Sequence, residues 1–247
     1  DVEAPLIAKS RKAGNFVIIR VDANSERMPL TIADADIEKG TITLVVQKVG
    51  LSSTKLCNLN EGDEIHDVVG PLGNPTHIEN FGTVLCAGGG VGVAPMLPII
   101  KALKAAGNRV LSVIAGRSKD LVIMEDEVRA SSDELIIMTD DGSYGEKGVV
   151  TVGMEKLIQQ EHIDKAFAIG PPIMMKFCCL LTQKYNLPTD VSLNTIMVDG
   201  TGMCGACRVI VGDEVKFACV DGPEFDGHLI DWNLAMQRQQ MYKTEEG

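Results

Sequence analysis

Residues 83–107, "TVLCAGGGVGVAPMLPIIKALKAAG", place an apolar strand, a glycine-rich turn and a helix in direct succession. The run TVLCA is typical of an inner strand, and the helical pattern ends at Gly107. Three successive glycines let the backbone approach a ligand closely, and Pro95 suits the first turn of a helix. Because a helix N-terminus attracts anions, this segment favours phosphate binding, although its spacing differs from Gly-x-Gly-x-x-Gly. By itself the turn is also compatible with a tight connection.

The same alternation continues after this segment. The apolar runs RVLSVIAG, LIIMT and KAFAIG are separated by helical stretches such as LVIMEDEVRA and VTVGMEKLIQQE, and a last helix, PIMMKFCCLLTQKYN, stops before Pro188. Strands that alternate with helices predict a parallel sheet covered by helices. The loops TDDGSYGEKG and GPPIMM follow two of these strands, at the end where open α/β sheets bind ligands. Each of these loops alone is typical of a turn. Together with the glycine-rich turn after TVLCA, however, we expect them to converge on one ligand.

The segments on either side have a different character. Residues 15–85 contain β-rich runs such as FVIIRV, TITLVVQKV and GDEIHDVVGPLG, with no convincing helix between them, which indicates a small barrel or sandwich. From about residue 190 the chain turns to glycine, cysteine and short strands, and it ends in the polar tail MQRQQMYKTEEG. The predicted organisation is therefore β (1–80), α/β (81–188) and a small cysteine-bearing module with the tail (189–247).

Composition narrows the functional classes. The 247 residues include 23 Lys and Arg against 34 Asp and Glu, a net charge of −11, which argues against nucleic acid as a partner. No apolar run approaches the length of a membrane span, so no membrane partner is expected. Seven cysteines are an odd number without the spacing of a secreted disulfide framework, and reduced thiols in the cytoplasm are expected.

Three of these cysteines lie in the stretch 197–223, "MVDGTGMCGACRVIVGDEVKFACVDGP". Plant-type two-iron ferredoxins space their ligands Cys-x4-Cys-x2-Cys, with a distant fourth cysteine. The stretch has the same offsets with aspartate first, Asp199-x4-Cys204-x2-Cys207, and Cys219 as the distant partner. Since iron accepts an anionic oxygen donor, we predict a [2Fe-2S] cluster held by these four residues. The neighbouring glycines would let the loop wrap the cluster and direct N–H groups at its sulfurs.

Other interpretations of the cysteine stretch remain open. Zinc could be bound by Cys-x2-Cys with Cys219 and an Asp or His, for which His228 is available. A redox dithiol fits less well, because the motif does not open a helix. Asp199 could simply form an Asp-Gly turn. The other four cysteines are expected to be small buried hydrophobic residues; they are Cys57, Cys86, Cys178 and Cys179.

The phrases GGGVGVAP, AGRSKDLVIMEDEV, TDDGSYGEKG and GPPIMM resemble the pyridine-nucleotide domain of the ferredoxin reductase superfamily. The resemblance implies a preceding antiparallel β-barrel that binds FAD through RMPLTIA and VQKVGLSST. Without the resemblance, GLSST is typical of a polar turn. It assigns to FAD the residues Arg27, Pro29, Leu30, Thr31, Val46, Gln47, Gly50, Ser52, Ser53 and Thr54. It assigns to the nicotinamide nucleotide Gly89, Gly90, Gly92, Val93, Pro95, Gly116, Arg117, Asp141, Gly142, Gly170, Pro171 and Met174. No acid–base or nucleophilic catalytic residue is expected, because hydride passes directly between nicotinamide and flavin.

The order of the three parts resembles the electron-transfer subunit of dihydroorotate dehydrogenase, as does FACVDGPEF. An aspartate in the first ligand position differs from that subunit, which uses four cysteines. The chain is more similar to the small subunits of NADH-dependent reduced ferredoxin:NADP⁺ oxidoreductases, and the segments that carry this similarity are RMPLTIADAD, IGPPIMMK and MVDGTGMCGACRV. Such chains usually begin with one more strand.

This resemblance implies a subunit that exchanges hydride with NAD(H) at FAD and passes single electrons through the cluster to a larger partner. That partner would hold another flavin and [4Fe-4S] clusters and bifurcate electrons among NAD(H), NADP(H) and ferredoxin. Arg117, Ser118 and Lys119 leave NADP possible in place of NAD. The alternatives are the reductase arm of a dihydroorotate dehydrogenase or another reductase, and a zinc-stabilised nucleotide-binding regulatory subunit.

Overall fold

The computed structural model of the protein describes residues 1–241. Its N-terminal part forms two three-stranded antiparallel sheets, in the orders β3-β2-β6 and β1-β5-β4. The strands are β1 (Val2–Glu3), β2 (Phe16–Arg20), β3 (Met28–Thr31), β4 (Asp34–Asp36), β5 (Thr41–Thr43) and β6 (Asp67–Leu72), and the helices are α1 (Pro5–Ser10) and α2 (Leu51–Cys57). Val17, Ile19 and Ile42 are fully buried in the core of this part. The antiparallel prediction is confirmed, and closure into a barrel stays a prediction.

The expectation that no helix interrupts the N-terminal strands was wrong. The segment TITLVVQKV is a strand only over Thr41–Thr43, and the segment GLSST, expected to be a turn, begins helix α2. Ser53 starts this helix, because its Oγ accepts hydrogen bonds from the N–H groups of Val49 and Gly50, each at 3.0 Å. This capping interaction satisfies N–H groups at the start of the helix, and the polar residues therefore favour helix over strand.

The predicted parallel sheet is present and has seven strands in the order β10-β9-β8-β7-β11-β12-β15. All neighbouring strands are parallel except β12 and β15, which are antiparallel. The strands are β7 (Thr83–Gly89), β8 (Arg109–Gly116), β9 (Glu134–Thr139), β10 (Glu146–Lys147), β11 (Lys165–Ile169), β12 (Thr189–Ser192) and β15 (Glu224–Asp226). The helices are α3 (Val93–Ala105), α4 (Glu125–Ser131), α5 (Val150–Gln160) and α6 (Pro172–Lys184). Because both faces are covered by apolar side chains, the inner strands are almost continuously buried.

The C-terminal part completes this sheet and also carries the cysteine stretch. Between β12 and β15 lies an antiparallel hairpin of β13 (Arg208–Val211) and β14 (Glu214–Phe217), and α7 (Trp232–Arg238) follows. The predicted polar tail therefore begins within α7, where Asp231 caps the helix through the N–H groups of Asn233 and Leu234. Residues 242–247 of the tail lie outside the described residues. Among residues 1–241, the helices are too short or too polar to cross a membrane.

A small apolar core joins the cysteine stretch to the N-terminal sheets. Phe16 and Ile18 of β2 pack there with the buried side chains of Met197, Cys207 and Cys219. Gly200 lies so close to this sheet that a Cβ would be 2.8 Å from Leu72 Cδ1 and 3.0 Å from Ile18 Cγ1. The predicted cluster residues are thus held against the part of the chain predicted to bind flavin.

Candidate cofactor sites at the sheet edge and in the cysteine loop

The residues predicted to bind nicotinamide nucleotide lie at the carboxyl ends of four neighbouring strands. In spatial order these strands are β9, β8, β7 and β11, so their four following loops share one edge of the sheet. Open α/β sheets bind ligands at this edge. The loops carry Asp141 and Gly142 after β9, Gly116 and Arg117 after β8, Gly89 to Pro95 after β7, and Gly170 to Met174 after β11.

Two of these loops are in close contact, and glycine makes the contact possible. A Cβ on Gly92 would lie 2.5 Å from the carbonyl oxygen of Ile169 and 2.7 Å from Gly170 Cα. A Cβ on Gly170 would lie 2.7 Å from Met174 Cε, and a Cβ on Gly89 would lie still closer to Met174 Sδ. Gly92 and Gly170 therefore seat the loop after β7 against the loop after β11.

Gly90 and the start of α3 remain open toward the sheet edge. Gly90 has φ of +55°, and a Cβ there would meet no atom within 4 Å. The helix, preceded by a 3₁₀ turn over Gly90–Gly92, begins without a side-chain cap. Uncapped N–H groups at a helix N-terminus attract anions, so this turn fits a phosphate. Val93 is buried and holds the turn in place, and Pro95 lies in the first turn of α3 as predicted.

Replacing Gly92 by alanine is expected to weaken NADH binding, because the new methyl group would collide with backbone atoms of the loop after β11. Such overpacking costs about 1–3 kcal/mol of folding free energy. NADH titration and thermal unfolding measure the two effects. Gly212→Ala is the control for a destabilising substitution away from the sheet edge: no atom lies within 4 Å of its Cβ position in the hairpin β13–β14, but its φ of +61° disfavours alanine. Equal NADH affinity in the two variants would contradict the role given to Gly92.

The outer two loops are joined by backbone hydrogen bonds. The N–H of Asp140 donates to the Gly116 carbonyl at 3.1 Å, and the N–H of Asp141 donates to the Arg117 carbonyl at 3.2 Å. Asp141 also accepts from the N–H of Ser143, and its pKa is lowered chiefly by hydrogen bonds from Ser143. Arg117 and Asp141 are both exposed. The structure thus brings all four predicted loops together, with the charged residues on the outer side.

The two segments predicted to bind FAD are also adjacent. Arg27 immediately precedes β3, which contains Pro29, Leu30 and Thr31, whereas Gly50 to Thr54 start α2. Val46 and Gln47 lie in the irregular segment between β5 and α2. Ser52 Oγ donates to Glu26 Oε2 at 3.1 Å, which joins the start of α2 to the residue before Arg27.

The hydroxyl groups of this region have different partners. Ser52 and Ser53 are buried and use their hydroxyls within the protein. Thr54 is half-buried, and its hydroxyl has no hydrogen-bond partner among residues 1–241. A Cβ on Gly50 would meet no atom within 4 Å, so the backbone there is open to a ligand. Gly50 and Thr54 therefore suit the predicted flavin contact better than the two serines.

The cysteine loop brings its predicted ligands together in two pairs, Cys207 with Cys219 and Asp199 with the backbone of Cys204. Cys207 Sγ and Cys219 Sγ are 3.3 Å apart and buried, whereas Cys204 is exposed. Asp199 Oδ2 accepts a hydrogen bond from the Cys204 N–H at 2.7 Å, and Oδ1 accepts one from the Thr201 N–H at 2.8 Å. Asp199 therefore organises the turn as well as facing Cys204, so the expected Asp-Gly turn and a ligand role are compatible.

The backbone of the loop directs N–H groups toward these side chains. The Ala206 N–H donates to Cys204 Sγ at 3.5 Å, and the three glycines of the loop all have positive φ, at +75° for Gly200, +83° for Gly202 and +65° for Gly205. Only glycine adopts this region at little cost, so the wrapping predicted for the loop depends on these positions.

The charges of the donor set suit a cation. Hydrogen bonds from the backbone N–H groups of Thr201 and Cys204 lower the pKa of Asp199, so its carboxylate is ionised. Burial and the adjacent Cys207 sulfur raise the pKa of Cys219 to about 12. Two neighbouring buried sulfurs can both be thiolates only beside positive charge, which iron supplies. Three thiols and one carboxylate thus form a donor set that fits an iron–sulfur cluster.

The zinc alternative with His228 finds no support in the geometry. His228 Nε2 lies 2.9 Å from the Thr182 hydroxyl on α6 and is engaged there instead of with the cysteine loop. Among residues 1–241, no three His, Cys, Asp or Glu side chains are close enough to hold a single metal ion. Cys86, Cys178 and Cys179 are buried with pKa values raised by burial, as expected for structural cysteines, whereas Cys57 is half-buried.

Two contacts at the ends of the cysteine loop were not predicted from the sequence. Arg27 Nε donates to the Val198 carbonyl at 2.6 Å, and Asn74 Nδ2 donates to the Val220 carbonyl at 3.0 Å. The partners are 171 and 146 residues apart in the chain, so no local signal could reveal them.

Known proteins share both the sequence and the fold. A family model for the iron–sulfur cluster binding domain of dihydroorotate dehydrogenase B matches residues 194–231. The "dihydroorotate dehydrogenase B (NAD(+)), electron transfer subunit homolog" of Thermotoga maritima is 52% identical over 99% of this chain and 86% of that protein. The chain belongs to the family of dihydroorotate dehydrogenase B electron-transfer subunits.

A protein of known structure matches almost the whole chain. The structure of an NADH-dependent reduced ferredoxin-NADP oxidoreductase, described in terms of flavin-based electron bifurcation, matches with a TM-score of 0.95. It is 49% identical, over 99% of this chain and 88% of that chain. The cytochrome b5 reductase domain of Ulva prolifera nitrate reductase matches with a TM-score of 0.57 over 72% of this chain and 82% of that chain. At 20% identity it shows the fold alone.

These findings confirm the resemblance to electron-transfer subunits. In this family the iron–sulfur domain is the matched segment 194–231, which contains Asp199, Cys204, Cys207 and Cys219. The same segment includes β13, β14 and β15, so the electron-transfer subunit uses one region both for its cysteine loop and to complete the large sheet.

Proposed function

We propose that the chain is an oxidoreductase subunit that exchanges hydride with NAD(H) at FAD and passes single electrons through a [2Fe-2S] cluster to a larger partner. The observation that carries this proposal is the position of the cysteine loop. Cys207 and Cys219 pack against Phe16 and Ile18 of β2, in the sheet β3-β2-β6, and the carbonyl of Val198, next to Asp199, accepts a hydrogen bond from Arg27. A cluster site in contact with a flavin-binding part is the arrangement that electron transfer between them requires.

The protein's own residues would bind and orient the cofactors. The open turn at Gly90 and the uncapped start of α3 would hold the nucleotide phosphates, and Arg27, Gly50 and Thr54 would hold FAD. Bound FAD would supply the capacity to accept a hydride, that is two electrons and a proton, from NADH and to pass the two electrons on singly, with the proton going to solvent. The domain limits of 1–80, 81–188 and 189–247 remain part of the proposal.

The four predicted ligands would divide into two environments. Cys207 and Cys219 are buried in the small core, whereas Cys204 is exposed beside Met203, which is 89% exposed. The exposed side suits electron exchange with a partner, and the buried side keeps the cluster on the flavin-binding part. The donor set would thus place the cluster between the two electron carriers.

We further propose that the partner is a larger subunit with its own flavin and [4Fe-4S] clusters, through which ferredoxin and NADP(H) react. Support comes from the related NADH-dependent reduced ferredoxin-NADP oxidoreductase and its described electron bifurcation. We propose a cytoplasmic location, which agrees with seven unpaired cysteines among the described residues. A second candidate partner is the catalytic subunit of a dihydroorotate dehydrogenase, favoured by the name of the Thermotoga relative.

The visible spectrum of anaerobically purified protein tests the core of the proposal. Flavin absorbance with additional broad cluster bands, and an electron paramagnetic resonance signal of a binuclear centre after reduction, are expected. A colourless preparation that contains zinc would contradict it. Co-purification of the native complex then separates the partners: dependence on NADPH and ferredoxin supports the first, and reduction of the flavin by dihydroorotate supports the second.

Asp199→Cys is expected to keep the cluster and shift its reduction potential, because the ligand atom changes from oxygen to sulfur. Potentiometry followed by electron paramagnetic resonance measures the shift. Asp213→Cys, in the turn of the hairpin β13–β14, is the control for an added thiol. A potential and spectrum identical to those of the unmodified protein would show that Asp199 is not a ligand.

A further inference from the structure

The cysteine loop is held at both ends by side chains from the N-terminal part. Arg27 Nε donates to the carbonyl of Val198, the residue before Asp199, at 2.6 Å. Asn74 Nδ2 donates to the carbonyl of Val220, the residue after Cys219, at 3.0 Å. The held carbonyls are therefore adjacent to the first and the last of the four proposed cluster ligands.

We propose that Arg27 and Asn74 are positioning residues that fix the cluster loop relative to the flavin, an inference that rests on the proposed function. Neither side chain belongs to the loop it holds, and neither replaces a ligand. Two hydrogen bonds, one at each end, restrain rotation of the loop, whereas one hydrogen bond alone would not. The position of the proposed cluster would thus be set from the flavin-binding part.

The apolar contact beneath the loop is not sufficient for this purpose. Gly200 rests on Ile18 and Leu72, and Cys207 and Cys219 pack against Phe16, so one face of the loop is fixed. The opposite face carries the exposed side chains of Cys204 and Met203. Apolar packing is non-directional, whereas hydrogen bonds constrain distance and angle.

Asn74 holds the second end by a further contact of its backbone. Its N–H donates to the Gly222 carbonyl at 2.7 Å, which brings the loop after β6 alongside residues 220–222. Because this hydrogen bond is made by the backbone, it is retained when the side chain of Asn74 is replaced. Removing the amide alone therefore releases one hydrogen bond without detaching the segment, and Asn74 is exposed, so the protein is expected to fold.

Arg27 holds one end of the cysteine loop and also belongs to the segment predicted to bind flavin. Only its Nε is engaged with the loop among the described residues, so the two Nη groups remain free for an anionic group. A guanidinium presents several donors in a fixed plane and can bind two partners at once. Arg27 would consequently be able to contact FAD and the cysteine loop at the same time.

Hydrogen exchange of the purified holoprotein tests the inference without any electron transfer. In Asn74→Ala, amides in 218–222 are expected to exchange about five- to ten-fold faster, as follows from the loss of one hydrogen bond in a local opening. Asn60→Ala, which removes an exposed asparagine far from the loop, is the matched control. Exchange equal in the two variants would overturn the inference.

Stopped-flow mixing with NADH adds a readout that a merely structural contact would not change. In Asn74→Ala the flavin is expected to be reduced at the normal rate, whereas the following reduction of the cluster is slowed several-fold at unchanged iron and flavin content. Hydrogen exchange tests the other end of the loop. Arg27→Lys keeps the positive charge but loses the planar donors, so the backbone amides of residues 198–204 are expected to exchange faster in this variant than in Arg20→Gln.

The two failures are distinguishable. If the unmodified protein contains no flavin or binuclear cluster, the proposed function fails, and the exchange experiment still reports on the two hydrogen bonds. If both cofactors are present and cluster reduction in Asn74→Ala equals that in Asn60→Ala, the positioning role is overturned although the proposed function stands.

Discussion

Cys207→Ser is expected to abolish or strongly reduce cluster binding, with loss of iron, labile sulfide and the binuclear resonance signal. Cys207 is buried, its sulfur lies 3.3 Å from that of Cys219, and both side chains belong to the apolar core against Phe16 and Ile18. A serine hydroxyl is a poorer iron ligand than a thiolate at neutral pH and brings a polar group into this core. Iron and sulfide analysis of the anaerobically purified variant measures the loss.

Two further variants separate ligand loss from misfolding. Cys204→Ser changes an exposed side chain with no cost to the core, so it tests the ligand role alone and is expected to lower cluster content as well. Cys57→Ser, a half-buried cysteine outside the loop, is the control and is expected to keep full iron content. Retention of the cluster in both loop variants would contradict the ligand assignment.

Glu224→Gln is expected to stabilise the protein above neutral pH. Glu224 on β15 accepts a hydrogen bond from the Thr76 hydroxyl at 2.6 Å, at the junction of the N-terminal part and the large sheet. Burial raises its pKa from 4.5 to about 7, and nearby Asp190 adds to the rise, whereas Thr76 and Lys165 oppose it. The folded protein therefore binds a proton more tightly than the unfolded chain does.

The sign of the pH dependence follows from this difference. Between about pH 4.5 and 7 the native state holds more protons, so the free energy of unfolding decreases as the pH rises through this range. At pH 8 the charged Glu224 would cost on the order of 3 kcal/mol of stability, from the shift of its pKa. Glutamine is neutral at every pH and still accepts from Thr76, so it removes most of this cost.

Urea unfolding at pH 5, 6.5 and 8 measures the effect. The variant and the unmodified protein should be similar at pH 5, and the advantage of the variant should grow toward pH 8. Glu61→Gln, at an exposed position in the loop before β6, controls for the loss of one negative charge from an acidic protein. If the free energy of unfolding changes with pH in the same way in Glu224→Gln and in the unmodified protein, the raised pKa assigned to Glu224 is wrong.

The sequence predicted the large sheet and its helices because the continuous apolar runs of buried strands differ clearly from the spacing of apolar residues in helices. The run TVLCA, the glycine turn and the following helix became β7, the 3₁₀ turn and α3, and the later apolar runs became β8, β9 and β11. The polar residues of GLSST gave no such contrast, and the serine cap of α2 was overlooked. The helix expected from "LVIMEDEVRA" begins only at Glu125, since Met124 before it has φ of +55°.

The candidate site shows the same division. Spacing alone selected Asp199, Cys204, Cys207 and Cys219, because the ligands of a cluster in a short loop must follow one another at fixed intervals. Spacing did not reveal that Gly92 is required by the loop after β11, that Gly90 is open, or that the hydroxyls of Ser52 and Ser53 are already engaged. Those properties depend on neighbours that are distant in sequence.

Local order along the chain thus determined which chemistry this protein can carry: a glycine turn before a helix, and a carboxylate with three thiols in one loop. Tertiary structure alone decided where these groups stand relative to one another, through contacts such as Arg27 with Val198 and Asn74 with Val220. The physical reason is range. Strand, turn and ligand spacing are set by neighbouring residues, whereas the placement of one site against another is set by packing and hydrogen bonds between segments more than a hundred residues apart.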